Sequence, residues 1–161
     1  MSAKGFYLSQ EGHVVPLIYP GSIAGGHTSA AFSVGCWAHV SILLALGTTT
    51  GSAPGAIVLS ACSDATGANA VAIPYDLFAC EASNNDVLGP RIAVAAAGYG
   101  TVASSAVFYV IEVDASRLAS SGKSYLQLNT NNASGNAVLA SAFAILSAGR
   151  FAGESNATVL T

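Results

Sequence analysis

From Phe32 to Leu46 the chain alternates. Even positions read Phe32, Val34, Cys36, Ala38, Val40, Ile42, Leu44 and Leu46, and odd positions Ser33, Gly35, Trp37, His39, Ser41, Leu43 and Ala45. A period of two sends successive side chains to opposite faces of a strand, so one face is uniformly apolar and the other mixed. The stretch predicts a sandwich strand, or two strands joined by a bend near Gly35. Gly47-Thr-Thr-Thr-Gly-Ser-Ala-Pro-Gly55 then supplies turn chemistry. Ala56 to Cys62 forms the next strand, closed by Asp64-Ala-Thr-Gly67, and the pair is expected to be a hairpin.

Further along, Ala70 to Ile73 and, after Pro74, Leu77 to Ala82 read as short strands, with loop at Asn84-Asn-Asp86 and Gly89-Pro90. Ile92 to Ala97 is a short run ending at Gly98. Ala106 to Val113 is rich in β-branched and aromatic residues. Asp114-Ala-Ser-Arg-Leu118 offers an N-cap acid and one helical turn, which Ser120-Ser-Gly122 breaks. Tyr125 to Thr130 is a strand, Asn131-Asn-Ala-Ser-Gly135 a turn, and Ala137 to Leu146 the last long strand. About eight short strands separated by Gly, Asn and Ser turns predict an all-β chain, an antiparallel β-sandwich or jelly roll. The abundant alanine favours helix, but no segment sustains a 3.6-residue period with caps.

Both ends read as arms: residues 1–30 as an extended N-terminal arm, 31–149 as the sandwich, 150–161 as a C-terminal tail. In Val14-Val-Pro-Leu-Ile-Tyr-Pro20 the prolines forbid helix and favour extended chain. Such an apolar stretch is either laid on a neighbouring chain by strand addition or packed on the edge of its own domain. Val14, Val15, Pro16, Leu17, Ile18 and Tyr19 are therefore the candidate partner-binding residues. On the strand-addition reading, a chain lacking residues 1–20 still folds but loses most of its partner affinity.

Charge narrows the function. Only 8% of the 161 residues are charged, against roughly 25% in an ordinary soluble domain. Five Lys and Arg cannot build the basic patch that nucleic acid requires, so no nucleic-acid partner is expected. The 52 residues between Glu11 and Asp64 hold no Lys, Arg, Asp or Glu, so they are core, membrane or interface. The best apolar run, Ala38 to Leu46, contains His39 and Ser41 and falls well short of the roughly 20 residues of a membrane span. The first residues, Met-Ser-Ala-Lys-Gly-Phe, lack the long apolar run of a signal peptide. What remains is a surface that faces other protein chains, and stable homo-oligomeric assembly is expected. Cys36, Cys62 and Cys80 form no CxxC pair or disulfide framework and read as small buried hydrophobes in a reducing compartment.

Motifs for chemistry fail on context. Gly98-Tyr-Gly100-Thr-Val-Ala103 matches a GxGxxA phosphate loop, but a strand-like run follows where a helix is needed, so it reads as a turn. His13, His27 and His39 show no ligand spacing, and no metal or other cofactor is expected. No GxSxG elbow occurs, although a Ser–His–Asp set could still assemble in space. Glu112 and Asp114 share a strand face by parity, and read as a solvated edge charge and the cap of the following turn. The sequons at Asn132 and Asn156 read as accidents of composition. No active site emerges, and the chain is not expected to be an enzyme.

The C-terminal third carries a resemblance. Tyr109-Val-Ile-Glu-Val-Asp-Ala-Ser-Arg-Leu118 leads to Tyr125-Leu-Gln-Leu-Asn129 and then to Ala140-Ser-Ala-Phe-Ala-Ile-Leu-Ser-Ala-Gly-Arg-Phe-Ala-Gly-Glu154. With Val40-Ser-Ile-Leu-Leu-Ala-Leu-Gly47 and Ser60-Ala-Cys-Ser-Asp-Ala-Thr-Gly67 upstream, residues 36–155 resemble small head proteins of tailed bacteriophages. The chain departs from them at Ile73-Pro-Tyr-Asp-Leu77, where relatives carry a more basic stretch. The resemblance implies a capsid decoration (cement) or minor head protein on the virion, made in the host cytoplasm, with the major capsid protein as partner. It implies no enzymatic residue. The alternatives are a carbohydrate- or host-surface-binding β-sandwich that uses Trp37, Tyr75, Tyr99 and Tyr109, and a hydrolase on a jelly roll.

Overall fold

The structure is a computed structural model that describes residues 8–49, 53–82, 86–102, 105–119, 121–131 and 135–149. Within these residues the chain forms β1 (Gly12–Ser22), β2 (His27–Thr28), β3 (Phe32–Ser33), β4 (Trp37–Leu46), β5 (Ala56–Cys62) and β6 (Val71–Ile73). There follow β7 (Tyr75–Cys80), β8 (Ile92–Val94), β9 (Tyr99–Gly100), β10 (Val107–Asp114), β11 (Tyr125–Thr130) and β12 (Leu139–Gly149). Two single-turn helices, α1 (Leu8–Glu11) and α2 (Ser116–Ala119), flank β1 and follow β10. The expected all-β sandwich is what forms, with twelve strands rather than about eight, because the two-residue strands β2, β3 and β9 fall below what a period-two pattern can reveal and β1 lies in the segment read as an arm.

The first sheet runs β1-β12-β4-β10-β7-β8, and the second β2-β11-β5-β6, with β3 also on β11 and β9 also on β5. Every pairing is antiparallel. The apolar positions of β4, Val40, Ile42 and Leu44, are wholly buried and meet Leu59 of β5 and Leu128 of β11 in one core between the sheets. Phe32–Leu46 divides at the Gly35-Cys36 turn, as one of its two readings required.

Two expectations are corrected. β4 and β5 are not a hairpin: β4 has β12 on one side and β10 on the other, so no edge is left for β5, which crosses to the second sheet and pairs β11 and β6. A Gly- and Pro-rich turn serves an inter-sheet crossing as well as a hairpin, and the sequence signal is the same for both. Of the two readings of the apolar N-terminal stretch, packing on the edge of its own domain is the one that forms, and the sandwich therefore begins before residue 31: Gly12–Ser22 is an edge strand in register with β12 from Gly12 opposite Ser147 to Ser22 opposite Leu139. The cause is burial: Val15, Leu17 and Ile18 enter the core at 0%, 6% and 3% exposure, which a free arm could not achieve. Register shifts after Pro16 and after Ile18 bend this edge. Prolines at 16 and 20 deprive it of donors, which blunts it against strand addition. The rest of the N-terminal segment before Leu8, the tail from residue 150, and both sequon asparagines lie outside the described residues.

Two hydrogen-bond bridges tie the sheets. The Tyr75 hydroxyl on β7 donates to the Ile57 carbonyl on β5 at 2.7 Å. Tyr109 on β10 and Tyr99 on β9 both donate to Glu81 Oε1, at 3.1 and 2.9 Å, with the two rings edge to face. Burial pushes the phenols of Tyr75 and Tyr109 well above their ordinary range, so both stay donors.

Candidate interaction face

The outer face of the first sheet divides along the strands into an apolar half and a polar half. Pairing register puts Pro16, Phe143, Leu43, Val110 and Phe78 in one row across β1, β12, β4, β10 and β7. The row beyond it toward one end holds Ser141, Ala45 and Phe108. Toward the other end lie Val14, Ile145, Ser41, Glu112 and Asp76, then Ser147, His39 and Asp114. Antiparallel sheets with one solvated face ordinarily show polar residues there. β12 inverts that habit: Ala140, Ala142 and Ala144 point into the core, while Leu139, Phe143 and Ile145 point out.

The apolar half is open at its end. Leu139 is 68% exposed, Tyr19 74% and Phe108 37%; Val87 and Leu88, in the loop beyond β7 where Gly89 N–H donates to the Ala79 carbonyl, are exposed as well. Two shallow hollows flank Ala45 and Leu46 at this end. One of about 380 Å³ is bounded by Pro20, Gly47 and Leu139, the other of about 240 Å³ by Cys80, Ala106 and Phe108. A larger groove of about 490 Å³ on the second sheet is polar, walled by His27, Thr28, Ser60, Asn129 and Asn131. The two outer faces therefore differ in chemistry.

In the polar half, His39 stands between two carboxylates. Its Nδ1 is 2.9 Å from Asp114 Oδ1 and its Nε2 2.6 Å from Glu112 Oε2, while the Ser41 hydroxyl donates to the same Glu112 oxygen at 2.7 Å. Burial alone lowers the His39 pKa, but the hydrogen bonds to Asp114 and Glu112 and their charges outweigh it and raise it. Next along the row, Asp76 holds Arg91 at 3.0 Å and Arg117 at 3.1 Å. Ser, His and Asp do converge here, yet this is not a nucleophilic triad. Ser41 donates to Glu112 and not to His39, and both imidazole nitrogens face carboxylates, so neither is left to take a proton from a hydroxyl. Glu112 is not an edge charge, because β10 lies inside the sheet between β4 and β7, and the Asp114 carboxylate is turned to His39.

Of the sequence candidates, Val14, Pro16 and Tyr19 reach the face or its rim, whereas Val15, Leu17 and Ile18 are core. The four aromatics of the carbohydrate reading form no platform. Tyr75 and Tyr109 are fully buried, Tyr99 packs against Tyr109, and Trp37 is half-buried under His13, whose ring stacks at 6.2 Å. Cys62 and Cys80 are buried as expected and Cys36 is half-buried. In the Gly98-Tyr-Gly100 motif, Gly98 closes a turn by donating its N–H to the Ala95 carbonyl, and Tyr99–Gly100 is β9 itself. The sequence reading passed over Phe78, Phe108, Val110, Leu139, Phe143 and Ile145. The available signal was parity, since both faces of β12 are apolar and its bulkier face is the outer one. Searches of protein-family models, of curated proteins and of solved structures find no match to this chain.

Proposed function

We propose that the chain is a virion structural protein, a capsid decoration or cement protein that binds the outer capsid surface, holds neighbouring capsomers together and repeats over the lattice as a homo-oligomer. The observation that carries the binding role is the outward-facing apolar half of the first sheet, above all β12 with its alanines inside and Leu139, Phe143 and Ile145 outside. The resemblance of residues 36–155 to small phage head proteins supplies the capsid as partner, and the scarcity of charge agrees with a life on another protein.

The magnitudes suit a repeated contact. Five strands spaced by ~4.8 Å and about four residues along each give an apolar patch of roughly 350 Å². That is within the range of functional patches and below the ~800 Å² per partner of a stable standard interface. At about 25 cal/mol per Å² it contributes roughly 9 kcal/mol before association costs of similar size, so a single contact is weak. Repetition over a lattice converts weak contacts into tight retention. The test is quantitative mass spectrometry of purified particles of the encoding phage. One copy per major capsid protein, or a simple fraction of that, is expected. Absence from particles overturns the proposal.

A further inference from the structure

The polar half of the docking face carries a device of its own, and its reading rests on the proposed docking. His39 belongs to β4 and projects between Glu112 and Asp114 of β10. An imidazole that meets a carboxylate at each nitrogen satisfies both only when it carries two N–H groups, that is, as the cation. When it loses a proton, one nitrogen becomes an acceptor facing a carboxylate that can only accept, and two anions remain a few ångströms apart on the strand. Among the described residues, the nearby cations Arg91 and Arg117 are engaged by Asp76. Ser41 on β4 gives Glu112 a hydroxyl, β12 offers only Ser147 opposite His39, and Asp76 of β7 opposite Glu112 is occupied by Arg91 and Arg117. His13 of β1 lies on Trp37, the residue of β4 two before His39.

The clamp adjoins the apolar half directly, since Ser41 and Glu112 stand one outward row from Leu43 and Val110. We infer that His39 is a proton-controlled latch of this face: protonated, it pairs with both Glu112 and Asp114, halves their combined charge and leaves the face easier to cover with an apolar partner; deprotonated, it leaves both carboxylates uncompensated at the rim, where they must be desolvated before the face can dock. Burying an uncompensated carboxylate is far more costly than burying a paired one. Affinity for the partner therefore falls as pH rises through the titration of His39, which lies above that of an ordinary histidine because the two carboxylates favour the cation.

The experiment has two readouts on the full chain. Imidazole ¹⁵N NMR across pH 5 to 9 follows His39 and, by ¹³C labels, the Glu112 and Asp114 carboxyls. His39 is expected to titrate above the ordinary histidine value, with the resonances of both carboxyls responding at the His39 midpoint. Binding to purified particles over the same range is expected to weaken roughly three- to tenfold in the wild type, the effect of one charge at short range near water. It is expected to stay flat in His39→Gln and to keep its slope in His27→Gln. Binding that is level through the His39 midpoint, or an unchanged slope in His39→Gln, overturns the latch while leaving the docking face intact. Absence of binding at every pH overturns the docking reading, and the latch with it.

Discussion

Gly98 enters β9 with φ at 91°, and a Cβ there would lie 2.4 Å from the Ile57 carbonyl oxygen and 2.8 Å from Val58 Cγ2. The same carbonyl accepts the Tyr75 hydroxyl. Gly98→Ala thus combines left-handed backbone strain with the loss of an inter-sheet bond, and is expected to cost about 2–4 kcal/mol in urea unfolding. Tyr75→Phe removes only the bond and is expected to cost about 1–2 kcal/mol in the same assay. At His39 the sign follows from the raised pKa. The clamp contributes stability that is fully present below the unfolded-state value of about 6.5 and is lost as pH rises through the higher folded value. A wild-type melting temperature that declines over that window, against a flatter His39→Gln, is the expected result. Gly98 was legible as a turn because its motif lacked a helix to follow it. The clamp was not legible, because residues 73 and 75 positions apart meet only through the β4–β10 register.

Strands with clean alternation were the readable elements. β5 and β11 span the residues that their patterns foretold, and the Gly35 bend separates β3 from β4. β1 was readable as extended chain but not as sheet, since prolines suit a free arm and a blunted edge strand equally well. Its packing decides the matter. Deletion of residues 1–20 removes Val15, Leu17 and Ile18 from the core, where large-to-small changes cost about 2–5 kcal/mol each against a typical total of 5–15 kcal/mol. The truncated chain is expected to show no cooperative thermal transition by circular dichroism, in place of the folded domain that the strand-addition reading foresaw. A sharp transition near that of the full chain would contradict the place of β1 in the sheet.

At the scale of the molecule, the two sheets turn unlike faces outward. The second sheet shows Ser60, Asn129, Thr28 and a polar groove, and the first shows an apolar half bordered by the His39 clamp and the Asp76 ion pairs. The long stretch without charge raised the expectation of an interface, but the side proposed to carry it depended on which strands became neighbours. Phe78, Val110, Leu43 and Phe143 come from four separate segments and form a row only when β7, β10, β4 and β12 pair in that order. The most direct measurement is the affinity of Phe108→Glu for purified particles beside Val71→Glu, which places the same charge at an exposed position on the second sheet. With both variants melting like the wild type, Phe108→Glu is expected to bind at least roughly tenfold more weakly, about 1.4 kcal/mol, and Val71→Glu to bind unchanged. Equal binding by both, or a loss confined to Val71→Glu, would contradict the account.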